Sequence, residues 1–223
     1  MEQKELKTHI ESIIGKTFNT LEGIYNNREP NSFKKEKSRL VFPSYYKDGE
    51  ATDTRISEQE LRFAFVEAFN NYCDAADGPN LFYSIETPTK RKYINFSNNQ
   101  EPQESEDGRS AEFDLVIFDE NGKRKCLIEF KANNADEHDH WKDFVKLNNL
   151  NEGGEDVLRY FIEVIKSYTE NGENSTVESL RGKLKRRNKG DLKASFFCYA
   201  LEGKSTRGNK NPLGDKDISD RFQ

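Results

Sequence analysis

The stretch from Ala111 to Ala132, AEFDLVIFDENGKRKCLIEFKA, constrains the fold more than any other part of the chain. Two apolar runs flank Asn121 and Gly122, and Asn-Gly is the strongest short-range hairpin signal, because both central residues of a type I′ turn need positive φ. A two-residue loop sets Glu120 opposite Lys123, and the pairing carries back to Asp114 opposite Glu129 and Glu112 opposite Lys131. Side chains alternate along a strand, so one face carries Phe113, Leu115, Ile117, Cys126, Ile128 and Phe130 and is expected to be buried. The other carries Val116, Phe118 and Leu127 near the turn and gathers Glu112, Asp114, Glu129 and Lys131 away from it. Like charges placed directly opposite are destabilising. Two facing carboxylates therefore call for a cation between them.

Mg²⁺ suits that position, with Mn²⁺ as a substitute: it takes oxygen ligands, commonly one or two carboxylates, and keeps places for water and a substrate phosphate. Lys131 beside it stabilises charge on an attacked phosphate or helps to activate the water. The bland alternative is a solvated sheet face with a Glu112–Lys131 ion pair.

The 223 residues suit one domain, or one core with a decorated flank. Apolar residues are 33% and charged ones 34%, so the core must come from bulky side chains, which 16 Phe and 9 Tyr supply. A net charge of −5 excludes a generally basic nucleic-acid coat and leaves room only for a local basic face. Cys73, Cys126 and Cys198 are unevenly spaced, and the last two lie in apolar runs, which suits buried thiols in a reduced, cytoplasmic setting. There is no apolar leader core and no run of bilayer-spanning length, so no membrane partner is expected.

Along the chain, residues 5–24 read as a helix, and 39–55 as an extended piece with a turn. Residues 56–76 form the clearest helix, with Ser57 and Glu60 as a capping box that makes Glu58 its first residue. Residues 80–88 and 92–96 read as two strands, and 97–110 as a polar loop. After the hairpin, residues 136–150 and 154–170 read as helices, 177–191 as a basic run and 193–201 as a buried strand. The expectation is an α/β (α+β) fold with a central mixed β-sheet flanked by helices. An N-terminal helix and flank (1–55), a core (56–201) and a peripheral tail (202–223) divide the chain.

Asp114, then fourteen residues, then Glu129-Phe130-Lys131, preceded by a helix with a glutamate near its start, resembles the PD-(D/E)xK nuclease superfamily. The likeness covers roughly residues 57–147, with Phe113 where the family motif has proline. It implies a restriction-endonuclease-like fold and Mg²⁺-dependent phosphodiester hydrolysis, of DNA in a bacterial defence or restriction role. It also implies Asp114 as metal ligand, Glu129 as second acidic ligand and Lys131 as catalytic lysine. Family members often add a glutamate from the first core helix to the metal or its water. The capping box occupies Glu60, whereas Glu58 lies on the stripe of Leu61, Phe65, Phe69 and Tyr72 that should face the sheet, so the resemblance implies Glu58 as the further catalytic and metal-binding carboxylate.

Arg109 and Glu112 flank the site, as phosphate contact and lysine-orienting group or as a plain ion pair. Arg181, Lys183, Lys185, Arg186, Arg187, Lys189 and Lys193 are candidates for phosphate neutralisation. His138 and His140 read as a solvated helix start rather than a metal site. A homodimer is expected if the target is palindromic. The rivals are a non-catalytic nucleic-acid- or protein-binding module on the same sheet, and a hydrolase of another phosphate ester.

Overall fold

The computed structural model describes residues 2–26, 28–29, 32–33, 38–95, 100, 102–133, 137–167, 193–206 and 209–213. Helix α1 (Gln3–Asn26) buries Leu6, Ile10, Ile13, Ile14, Phe18 and Leu21, the stripe that helical spacing sets out. Two short strands, β1 (Arg28–Glu29) and β2 (Ser32–Phe33), pair with each other, and a hairpin of β3 (Ser44–Lys47) and β4 (Glu50–Thr54) follows. Then come α2 (Glu58–Cys73), β5 (Leu81–Ile94), β6 (Gln103–Glu104), β7 (Arg109–Asp119), β8 (Arg124–Ala132) and α3 (Glu137–Asn148). A 3₁₀ turn (Leu150–Glu152), β9 (Leu158–Ile165), β10 (Ser195–Ala200), β11 (Lys204–Thr206) and β12 (Asn209–Leu213) follow among the described residues.

The central sheet has six strands in the order β10-β9-β8-β7-β5-β6, antiparallel from β6 to β8 and parallel from β8 to β10. One core packs α1 and α2 on one face, around Leu61, Phe65, Leu115, Ile128, Phe130 and Tyr160. The other packs α3 on the opposite face, around Val116, Leu127, Trp141, Phe144, Phe161 and Phe196. The molecule is thus a mixed α+β protein with a helix-flanked mixed sheet. Among the described residues no helix is long and apolar enough to cross a membrane, and the three cysteines are free, with Cys126 and Cys198 buried.

Four local expectations need correction. Residues 158–165 form strand β9, not a helix: buried between β8 and β10 and covered on both faces, Leu158 to Ile165 shows no polar alternation, so the sequence has no strand period to reveal. Residues 80–88 and 92–96 do not make two strands, because β5 runs through both with an irregularity between Pro88 and Lys92. Part of the polar 97–110 loop is ordered as β6 and as the start of β7.

The hairpin turn is not type I′ either. Gly122 alone takes positive φ, at 72°, while the Asp119 carboxylate accepts the Asn121 and Lys123 amides at 3.0 and 2.9 Å. That carboxylate stabilises a three-residue loop, which sets Phe118 opposite Arg124, one residue off. A bulge at Lys125 restores the register, so that Ile117 faces Cys126 and Leu115 faces Ile128 as the two-residue loop requires. The type I′ geometry occurs instead between β3 and β4, where Asp48 and Gly49 have φ of 54° and 85°.

Candidate active site

Beyond Leu115 and Ile128 the β7–β8 ladder stops and the two strands part. The alternation of side chains breaks there: Phe113, expected beside Leu115, packs on the opposite face with Leu127 and Phe144. Asp114 sits at the break, and Glu86, across from it on β5, takes positive φ of 48°. Asp114 does not lie in a simple cross-strand pair with Glu129. Its Oδ2 accepts the Phe130 amide at 2.8 Å, replacing a ladder bond, and its Oδ1 accepts from Arg62 of α2 at 2.6 Å.

Glu129 is 1% exposed and turns toward α3, where the Lys146 ammonium lies 2.8 Å from Oε1 as an ion pair outside hydrogen-bond geometry. Lys131 also faces α3, with Nζ 2.6 Å from Asp143 and 3.5 Å from Glu58 at the start of α2. The Glu112–Lys131 pair is therefore not formed; Glu112 contributes its carbonyl, which accepts from Lys146 at 2.5 Å. Glu60 points away, paired with Arg55 at 2.9 Å and accepting the Ser57 hydroxyl. Ser57 is the N-cap residue by conformation, but its side chain caps no backbone amide, so the expected capping box is replaced by this direct contact.

The groove over the cluster has a volume of about 420 Å³ and is lined by Glu86, Glu112, Asp114, Lys131, Lys142 and Asp143 among others. Counting Glu58, Glu86, Asp114, Glu129 and Asp143 against Arg62, Lys131 and Lys146, the ion-paired cluster carries two more acids than bases. Burial pushes the Glu129 carboxyl well up, against the pull of Lys146. Burial would raise Asp143 as well, but it is held below the usual carboxylate range because Lys146 and Lys131 both face it. Burial would lower the Lys131 ammonium, but Asp143 and Glu58 together raise it, so it stays charged. Burial also raises Glu58.

Sequence reasoning missed Arg62, Asp143 and Lys146. Arg62 stands one turn beyond Glu58 on α2, and Asp143 and Lys146 stand one turn apart on α3; charged residues at such spacing on a helix read as a solvated face. The signal available was topological: α3 connects the parallel strands β8 and β9, so one of its faces must lie over Glu129 and Lys131. His140 is also corrected. It is fully buried rather than solvated, stacked on Phe161 and 3.3 Å from Glu163.

Arg109 is exposed at the start of β7. Lys193 is at the opposite end of the parallel strands from Glu129 and Lys131. Arg181, Lys183, Lys185, Arg186, Arg187 and Lys189 lie outside the described residues, as does the His138 side chain. Among the described residues no three His, Cys, Asp or Glu side chains are drawn together as a metal cluster. The donor set nevertheless fits Mg²⁺, which needs only one or two carboxylates with water and phosphate completing its shell. Glu129 Oε1 already faces the Lys146 ammonium at 2.8 Å, so a metal ion would take the other oxygen of that carboxylate. No family model, no curated protein and no solved structure matches the chain.

Proposed function

We propose that the protein is a metal-dependent nuclease of restriction-endonuclease-like type that hydrolyses phosphodiester bonds in DNA, with Mg²⁺ or Mn²⁺ as cofactor. The observation that carries this reading is the meeting of Glu58, Asp114, Glu129 and Lys131, from α2, β7 and β8, where β7 and β8 part beneath an open groove. Asp114 and Glu129 would hold the metal ion. When bound, it supplies a Lewis acid for the phosphate and an acidified water.

Lys131 donates to the phosphate oxygens and stabilises the charge that builds up on them. Asp143 and Glu58 favour its charged form, which suits that role. Glu58, raised by burial, is suited to accept a proton from the attacking water. Asp143 orients Lys131 from α3. Lys142 and the exposed Arg109 are the proposed phosphate contacts at the rim, and in a chain of net charge −5 such contacts are local.

The test is cleavage of a plasmid and oligonucleotide panel, methylated and unmethylated, with duplex, single-strand and RNA members, in Mg²⁺ or Mn²⁺. Metal-dependent cleavage of DNA is expected, with Asp114→Ala abolishing it and Lys131→Ala lowering it by roughly 100-fold or more. A second reading, a non-catalytic module on the same sheet, draws on the closing of Asp114 by Arg62 and of Glu129 by Lys146. An intact panel together with no calorimetric signal for either metal would favour that module.

A further inference from the structure

The Lys146 ammonium is 2.8 Å from Glu129 Oε1, 2.9 Å from Asp143 Oδ1 and 2.5 Å from the carbonyl oxygen of Glu112. These three oxygens come from β8, α3 and β7, and Lys146 is only 6% exposed. Two carboxylates and a main-chain carbonyl around a buried positive charge are the ligand types that hold a hard divalent cation. Here the cation is tethered to the chain, three residues beyond Asp143 on the same helix.

We propose that the Lys146 ammonium holds the place of a second divalent cation, so that the site takes one exchangeable metal ion and not two. This rests on the metal-dependent reading above and deepens it. Two-metal hydrolytic sites hold their cations about 3.5–4 Å apart to clamp both the attacking and the leaving oxygen. In this chain one of those charges is built in and single, and the exchangeable ion is left to Asp114 and the Glu129 oxygen that does not face Lys146. Losing Lys146 would leave Glu129, Asp143 and the Glu112 carbonyl as an open oxygen cage with excess negative charge. A divalent ion would then fill it.

The experiment is Mn²⁺ titration of the full chain, by calorimetry and by electron paramagnetic resonance of free Mn²⁺, for wild type, Lys146→Ala, Lys146→Arg and the double variant Lys146→Ala/Asp143→Asn. The expected stoichiometries are one, two, one and one. Two ions on the wild type, or one on a folded Lys146→Ala chain, would overturn the proposal. Melting curves guard against a variant that fails to fold: Mn²⁺ should raise the midpoint of Lys146→Ala well above the shift seen for wild type, and a Lys146→Ala chain still unfolded at saturating Mn²⁺ counts against the proposal. Wild type binding no Mn²⁺ would instead sink the nuclease reading, and this inference with it.

Discussion

Glu129 is the side chain whose surroundings agree least with its charge. Burial raises its carboxyl, so its contribution favours the folded state below the ordinary glutamate range and is lost as pH rises through the raised value. Without divalent metal, the melting midpoint of Glu129→Gln relative to wild type should therefore shift in the variant's favour as pH rises from 4 to 8. Thermal melts across that range check it, and an advantage that grows on acidification would show the charged form to be the favoured one. Gly122 makes a second residue-scale case. Its φ of 72° is left-handed, and no atom stands within 4 Å of where a Cβ would be, so Gly122→Ala should cost about 1–2 kcal/mol from backbone strain alone. Denaturant titration reads that loss. Glu129 and Lys131 were legible in the sequence as neighbours on one face because a strand sorts its side chains by a two-residue period, whereas Asp114 leaves that period where the strands part. Arg62, Asp143 and Lys146 were not, since a charged residue on a helix has the same pattern whether it faces water or a buried acid.

At the scale of elements, the long strand β5 is held at its irregular middle by one buried carboxylate. Glu152, fully buried after α3, accepts the amides of Lys90 and Arg91 at 2.7 and 3.0 Å and the Tyr93 hydroxyl at 2.9 Å, and pairs with Arg124 at 3.4 Å. Arg124 in turn donates to the Pro88 carbonyl at 2.7 Å. Glu152→Ala leaves two amides without their acceptor and the Arg124 guanidinium without its counter-charge and should cost about 3–5 kcal/mol, lowering the melting midpoint by roughly 6–20 °C. A loss under 1 kcal/mol would mean that the strand keeps its path without the anchor. The helices α1, α2 and α3 and the strand β10 were readable from periodicity and apolar runs. Strand β9 was not, because a parallel strand covered on both faces differs from a buried helix only in the partners it finds, and those lie elsewhere in the chain. From Ile117–Cys126 to Leu115–Ile128 the hairpin register came out as expected through two departures that cancel, the longer loop and the bulge at Lys125, and beyond it the expected Asp114–Glu129 and Glu112–Lys131 pairs do not form.

Taken as a whole molecule, the sheet is closed on one side by the N-terminal helix. Tyr199 of β10 donates to Glu22 at 2.6 Å, Tyr25 donates to Glu202, and Phe18 stacks on Tyr199 with ring centroids 5.0 Å apart. The six apolar side chains of α1 named above share one core with β7, β8 and β9. A chain beginning at residue 56 should therefore not unfold cooperatively, and circular dichroism with a denaturant series tests it; a sharp two-state transition in that fragment would show that the remaining chain is self-sufficient. Where the central sheet parts, the Asp114 carboxylate takes the Phe130 amide in place of a neighbouring strand. That single proton makes the centre of the molecule audible to magnetic resonance: its chemical shift and exchange rate follow whatever engages Asp114, so an isotope-labelled sample reports events at the fork without any label added to it.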